Sequence, residues 1–299
     1  MTFKHFIEAV NAMPPTSRLG RGSCDTHNHV FGPFERFPLD FPPDYPIPLA
    51  PIQKYLQMLD TVGLDRGVLI QPSQQDCSMD ILLDALRIGG DRLRGVGAAR
   101  AEITEQRMQE VVAAGVVGLR FVEAHAPDGK PRAGSVGFRA IPELATRMKA
   151  LDLSINIWGK LPDIISGLDA ILAPELPVVL EHMGMLDIGA GIESRDFQTL
   201  LGLLKEGRIW VKLSVCRCSS AAPDYADLRP FADLLVEANP DRLLWGSDWP
   251  FIRMQGVEPD VGNLADLFHV WINDSSVQRK ILIDNPGRLY KFSSLGDVS

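Results

Sequence analysis

The chain has 299 residues, 45% of them hydrophobic, and a formal net charge of −8. That is enough apolar material for one large barrel or two small cores, and the acidic balance argues against a nucleic-acid groove. No apolar run approaches the roughly 20 residues of a membrane span, and the start Met1-Thr2-Phe3-Lys4-His5 lacks the apolar stretch of a secretory signal. The four cysteines, Cys24, Cys77, Cys216 and Cys218, form no CxxC pair. They read as reduced thiols of a cytoplasmic protein, with Cys216-x-Cys218 given no role.

Residues 1–21 read as a surface arm, packed across the barrel or a neighbour. The first strand begins near Cys24 and runs into Asp25-Thr26-His27-Asn28-His29. The proline- and phenylalanine-rich stretch 32–51 fits an ordered extended loop. Ile52, Leu56, Leu59 and Val62 have helical spacing and Gly63 ends that helix. Gly67 to Gln71 is then a short buried strand, followed by a helix from Ser78 to Leu86 and a strand over 94–99. Thr104 caps the next helix, which stops at Gly115, and Val116 to Phe121 is the fourth strand. The alternation continues with helix 138–150, strand 153–158, helix 162–172, strand 177–181, helix 194–205, strand 209–213, helix 225–238 and strand 242–245. Helices 261–272 and 275–284 close the chain.

Eight short apolar strands, each followed by a helix, predict an α/β fold: a single (β/α)8 TIM-type barrel, with room for distortion. It spans residues 22–292, with an arm at 1–21 and a C-terminal tail at 293–299. A doubly wound open sheet is the alternative, but no GxGxxG follows the first strand.

Chemistry in such barrels sits at the carboxyl ends of the strands. His27 and His29, two apart on one strand, share a face. His182 and Asp248 each stand where a later apolar run stops. Together these four make a metal site, an acid/base site, or both. Three imidazoles and a carboxylate suit one divalent metal, zinc or manganese. Asp248, set between Trp245 and Trp249-Pro250, also suits a general base whose pKa is raised by desolvation. Arg120 ends the fourth strand and is placed to bind a carboxylate bidentately. Arg217 and Arg253, in the loops after the seventh and eighth strands, are placed for the same task, with Ser73 and Trp158 as further substrate contacts. Gln71, Arg100, Lys212 and Ser214 are the other polar strand ends. His125 is placed as a substrate contact, and the loop holding Lys130 and Arg132 as a flexible flap.

Asp25-Thr26-His27-Asn28-His29-Val30-Phe31-Gly32-Pro33, Glu181-His182-Met183-Gly184, Trp245-Gly246-Ser247-Asp248-Trp249-Pro250 and Asn285-Pro286-Gly287-Arg288-Leu289-Tyr290 resemble the amidohydrolase superfamily. The likeness covers about residues 22–292 and points to the lactonase branch that includes 2-pyrone-4,6-dicarboxylate hydrolase. The resemblance implies that Asp248 activates the hydrolytic water. His27, His29 and His182 would then polarise the carbonyl of an anionic, carboxylate-bearing small-molecule lactone, with one metal or with none. Departures are visible. Binuclear members carry a lysine on the fourth strand and a histidine on the fifth, where this chain has Arg120 and Asn156-Ile157-Trp158. The pyrone enzyme has a tyrosine on its fifth strand and an arginine after the sixth-strand histidine, where this chain has Trp158 and Met185. The expectation is a cytoplasmic lactonase, monomeric or homo-oligomeric. The alternatives are a metal-dependent decarboxylase or lactone isomerase on the same scaffold, and a non-catalytic small-ligand-binding barrel.

Overall fold

The structure is a computed structural model that describes residues 7–41, 45–126, 128–254 and 257–293. His5, most of the C-terminal tail at 293–299 and Pro127 of the expected flap lie outside the described residues. Eight parallel strands form one sheet: β1 (Cys24–Asn28), β2 (Arg66–Ile70), β3 (Leu93–Gly97), β4 (Val116–Val122), β5 (Ser154–Trp158), β6 (Val178–Leu180), β7 (Ile209–Leu213) and β8 (Leu243–Trp245). Each pairs with its neighbour in chain order, from β1 through β8. Helices follow the strands on the outside, which is the nearly closed (β/α)8 barrel expected.

The period of 2 along a strand separates two apolar layers. Leu69, Val178, Leu180, Ile209, Val211 and Leu243 join the large core shared with the helices. Val68, Ile70, Val179, Trp210 and Leu244 alternate with them and form a separate cluster with Cys24 and Tyr290. The second cluster therefore fills the barrel itself. Two residues further along two of those strands the same inward face turns polar, at Glu181 and Lys212. The floor of the barrel is thus apolar and its carboxyl end is charged.

The last step of closure differs from the other seven. Among the described residues no ladder joins β8 to β1, and the two sides meet in a single bridge, Asn28 with Trp249. Instead Thr26 Oγ1 donates to Trp245 O at 2.8 Å, Asp248 N donates to His27 O at 2.8 Å, and His29 N donates to Trp249 O at 2.9 Å. β1 also carries a bulge: Asp25 to Asn28 spans three steps against two on β2. The extra residue re-aims the side chains beyond it. Asn28 faces outward to Tyr55, while His27 and His29 face the barrel mouth.

Several helices differ from their sequence expectation. The helix at 162–172 is two pieces, Leu161–Ser166 and Leu168–Leu172, broken at Gly167. A Cβ at Gly167 would lie 3.1 Å from the Phe138 ring, so close packing selects glycine, which is a poor helix former. The helix at 225–238 starts only at Arg229, because Tyr225 is left-handed (φ 46°) and a tight turn over Ala226–Leu228 precedes it. The stretch 275–284 is a short α-helix, Ser275–Arg279, that widens into a π-helical turn over Lys280–Asp284. The arm packs on its own chain: Ile7–Glu8 pairs with Pro48–Leu49, Met13 N donates to Asp260, and Thr16 N and Ser17 N donate to Asp266.

Glycine at 246 is a condition of closure. A Cβ there would lie 2.7 Å from His27 Cβ and 3.0 Å from His27 N. Gly246→Ala should therefore destabilise the fold by about 1–3 kcal/mol. Gly202→Ala, on the open face of helix Arg195–Lys205 with nothing within 4 Å, should stabilise it by about 0.5–1 kcal/mol. Denaturant unfolding of both variants checks the pair, and equal effects would contradict the closure argument.

Candidate active site

The seam brings His27, His29 and Asp248 together. Asp248 Oδ1 lies 3.7 Å from His27 Nε2 and 3.9 Å from His29 Nε2. The His182 ring centroid is 4.2 Å from that of His27, and the His29 centroid is 5.2 Å from it. All four are buried. The turns that present His182 and Asp248 use left-handed backbone, with φ 48° and 63°. This is uncommon for side chains other than glycine and costs on the order of 1–3 kcal/mol each.

Asp25 helps to hold the Asp248 turn. Its Oδ1 accepts from Ser247 N at 2.9 Å and its Oδ2 accepts from Ser247 Oγ at 2.8 Å. Tyr55 OH donates to the same carboxylate at 3.2 Å. Burial pushes Asp25 up to about 6, against the pull of the Ser247 hydrogen bonds. Ser247 Oγ in turn accepts from Trp249 N. Cys216 and Cys218 buttress the same region. The Cys216 thiol reaches Ser247 O and the Cys218 thiol reaches His182 O at 2.9 Å. Both are free thiols. Burial raises both, Cys218 to about 12, which leaves them unreactive.

Each imidazole is set to be neutral. Burial lowers all three histidines, helped for His27 by His182 and Lys212, for His29 by Arg120, and for His182 by Arg217. His29 Nδ1 lies 2.7 Å from Ile70 O. A carbonyl can only accept, so Nδ1 carries the proton and Nε2 presents a lone pair. Burial raises Asp248, and the Arg217 guanidinium opposes that rise. Arg217 Nε and Nη2 donate to Asp248 Oδ2 at 2.7 and 2.5 Å. One carboxylate oxygen is thus tied down. The other, Oδ1, is buried and has no hydrogen-bond partner among the described residues, and the same holds for His27 Nε2 and His182 Nδ1.

Buried lone pairs of this kind suit a cation. His27, His29 and Asp248 offer ligand atoms within 4.8 Å of one another, and so do His27, Glu181 and His182. Both sets share His27. The cluster therefore fits one divalent metal of the zinc or manganese type.

Around it lies a cavity of about 490 Å³, lined by His29, His182 and Asp248 together with Ser73, Trp158, Arg217 and Arg253. Arg120 reaches this wall but is engaged differently from its expected role. It is buried, and its Nε and Nη2 clasp Glu181, the latter at 2.8 Å, while Nη1 donates to Gln71 O at 3.0 Å. A buried carboxylate on the next strand but one supplies the partner that a substrate was expected to supply. Arg217 likewise serves Asp248 first. Gln71 is structural: it bridges Asp76 O, Ser78 O and Ala98 N. Arg100 pairs with Asp76 at the surface. His125, paired with Glu123 at 3.2 Å, lines the cavity, whereas Lys130 pairs with Asp128 in solvent.

Two participants, Glu181 and Lys160, escaped the sequence reading of the site, and Lys212 entered it only as a polar strand end. Glu181 was visible only as the residue before His182. Lys212 was visible as a polar strand end, but its position is informative: its Nζ sits 3.5 Å from His27 Nδ1. Burial lowers Lys212 to about 8, with Glu181 opposing. Lys160 lies on the cavity wall just past β5; the signal was a lysine two residues after the strand's last tryptophan.

Neutral buried histidines make stability fall in acid. The unfolded chain takes up protons near pH 6.5 and the native site does not, so native stability is present above that pH and is lost below it. Each histidine contributes up to about 1.4 kcal/mol per pH unit. Asp25 and Asp248 act in the opposite sense, since their raised native pKa values favour the fold as pH drops, but they are two against three. Protein dialysed against a chelator should therefore melt at lower temperature at pH 5 than at pH 7. The combined His27→Asn, His29→Asn, His182→Asn variant should lose that dependence; an unchanged dependence would contradict the neutral-histidine assignment.

Among the described residues, no helix is long and apolar enough to cross a membrane. A family model described as Amidohydrolase matches residues 24–292. A 4-sulfomuconolactone hydrolase of Rhizobium radiobacter is 34% identical, over 93% of this chain and 92% of its own. A 2-pyrone-4,6-dicarboxylate hydrolase of Comamonas testosteroni is 32% identical, over 94% of this chain and 93% of its own. A solved apo structure from Agrobacterium tumefaciens is 25% identical and superposes with a TM-score of 0.80, covering 93% of this chain and 99% of that one. The barrel, the four converging side chains and these matches agree: the chain belongs to the amidohydrolase family.

Proposed function

We propose that this protein is a lactonase that opens the cyclic ester of a small, carboxylate-bearing molecule, with Asp248 as general base. The observation that carries the reading is the state of Asp248. One oxygen is held by Arg217, and the other faces two imidazoles and the cavity with no hydrogen bond from any described residue. The relatives named as lactone hydrolases support the reaction class.

Arg217 opposes the rise that burial imposes on Asp248 and fixes its plane, so that Oδ1 is the basic lone pair. A water between Oδ1 and the lactone gives its proton to Asp248 as its oxygen attacks the carbonyl carbon. His29, with its Nε2 lone pair free, accepts from that water and orients it; it is not a donor to the oxyanion. His27 and His182 stabilise the tetrahedral oxyanion. Collapse breaks the ring C–O bond, and the leaving oxygen recovers the proton from Asp248. The net change is one water consumed and one carboxylic acid formed, which ionises and releases a proton. His27, His29 and Asp248 would hold a divalent cation, which when bound supplies Lewis acidity toward the carbonyl.

The substrate's anionic group is drawn by the cavity wall. Arg120, Arg132, Lys160, Arg217 and Arg253 line it against Glu123, Asp163 and Asp248, a cationic excess in a chain of net charge −8. Such local excess attracts anions whatever the total charge. Of these, Lys160 and Arg253 stand at the mouth; the Arg253 guanidinium lies over the Tyr45 ring, 4.9 Å from its centroid. Trp158 and Ser73 complete the wall. The four free cysteines suit a reducing cytoplasm.

A lactone panel followed by acid release tests the function. The wild type should release one proton per lactone opened, and Asp248→Asn should lower kcat by about 10²- to 10⁴-fold while melting normally. Near-normal turnover in Asp248→Asn would reject the base. Carbon dioxide in place of acid, or an isomer with no acid released, would reject hydrolysis.

A further inference from the structure

Lys212 has no part in that reaction, yet it is fully buried and aimed at the site. It lies on β7 two residues above Trp210, inside the barrel. Its Nζ is 3.5 Å from His27 Nδ1. Among the described residues it is the one hydrogen bond of this amine, which also lies 5.9 Å from the Tyr290 ring and feels the charges of Glu181, Arg120 and Asp25. A second group faces the same imidazole nitrogen, Glu181 Oε1 at 3.9 Å. The two make opposite demands. An ammonium has donors and no acceptor, so it requires a lone pair on Nδ1; a carboxylate requires a proton there. Glu181 already receives Arg120 Nε and Nη2, and it is the more distant. The ammonium therefore has the stronger claim.

We propose that Lys212 is a positioning residue that holds His27 as the Nε2-protonated tautomer, so that His27 presents an N–H to the lactone carbonyl and a divalent cation binds the cluster only in competition with that proton and the ammonium. The far side of the ring agrees. His27 Nε2 lies 3.7 Å from Asp248 Oδ1; an N–H there faces the carboxylate favourably, whereas a lone pair would face lone pairs. The ammonium also acts through charge. It stands directly behind the imidazole that both candidate metal trios share, and it repels a cation at the front. Loss of Lys212 removes both effects. Nδ1 can then donate to Glu181, Nε2 turns its lone pair to the cavity, and His27 becomes a ligand of the ordinary carboxylate-backed kind.

The inference rests on the lactonase reading for the purpose of the N–H, but its test does not. Long-range ¹H–¹⁵N spectra of histidine-labelled wild type, with the His27 signals assigned by their loss in His27→Asn, read the tautomer directly. The expected result is a protonated Nε2 and an unprotonated Nδ1. In Lys212→Met the proton should move to Nδ1, and zinc affinity, measured by competition with a chromophoric chelator, should rise on the order of 10-fold or more. Tighter zinc binding is not what a merely damaged barrel would give. A protonated Nδ1 in the wild type overturns the inference, as does unchanged or weaker zinc binding in a folded Lys212→Met. The wild-type spectrum decides even where the variant fails to fold. A wild type that opens no lactone would overturn the lactonase reading and leave the tautomer result standing.

Discussion

The site depends on how the barrel closes. Between β1 and β8 the regular ladder gives way to a few individual hydrogen bonds, from Thr26 to Trp245, from Asp248 to His27 and from His29 to Trp249. One of these three joins the backbones of Asp248 and His27, which meet at the active point, and a second ties His29 to Trp249, the residue after Asp248. The same contacts that end the sheet therefore set the separation between the base and the imidazoles. Asp25 reinforces the seam from behind, since its carboxylate spans Ser247 and Tyr55. Strain at Asp248, held in left-handed backbone, persists because this surround over-determines it.

Charge burial is the second organising constraint. Arg120, Glu181, Lys212 and Asp248 are all buried, and Arg217 nearly so. Isolated, each would be costly; paired, they become tolerable and rigid. Arg120 with Glu181 and Arg217 with Asp248 form two clasps beside the histidines. Such pairs add little net stability. What they add is orientation: each leaves its partner one conformation, and the Arg217 clasp exposes a single basic oxygen to the cavity. Geometry of this kind is what a reaction needs from a ground state that must not reorganise.

Much of the fold was legible in the chain. Short runs such as Val116 to Phe121 and Ile209 to Leu213, separated by helical spacing and glycine stops, carry the barrel almost alone. Helix detail was less legible where packing overrode propensity: the break at Gly167 answers to Phe138, and the late start at Arg229 answers to the left-handed Tyr225. At the site, His27, His29, His182 and Asp248 stood out because polar groups ended apolar strands. The partners of the arginines did not. Whether Arg120 meets a substrate or Glu181 depends on the register of strands about 60 residues apart, which no local pattern encodes. Lys212 was hidden for a similar reason, since only the closed barrel sets it behind His27.

The central claim is that a lactone carbonyl sits among His27, His182 and the free oxygen of Asp248. A crystal structure of Asp248→Asn with its best lactone bound intact tests it most directly. The account predicts the carbonyl oxygen within hydrogen-bond reach of the His27 imidazole, with the carbonyl carbon facing the amide that replaces Oδ1 across one water. A lactone seated elsewhere in the cavity, or with its carbonyl turned away from both histidines, would contradict the account.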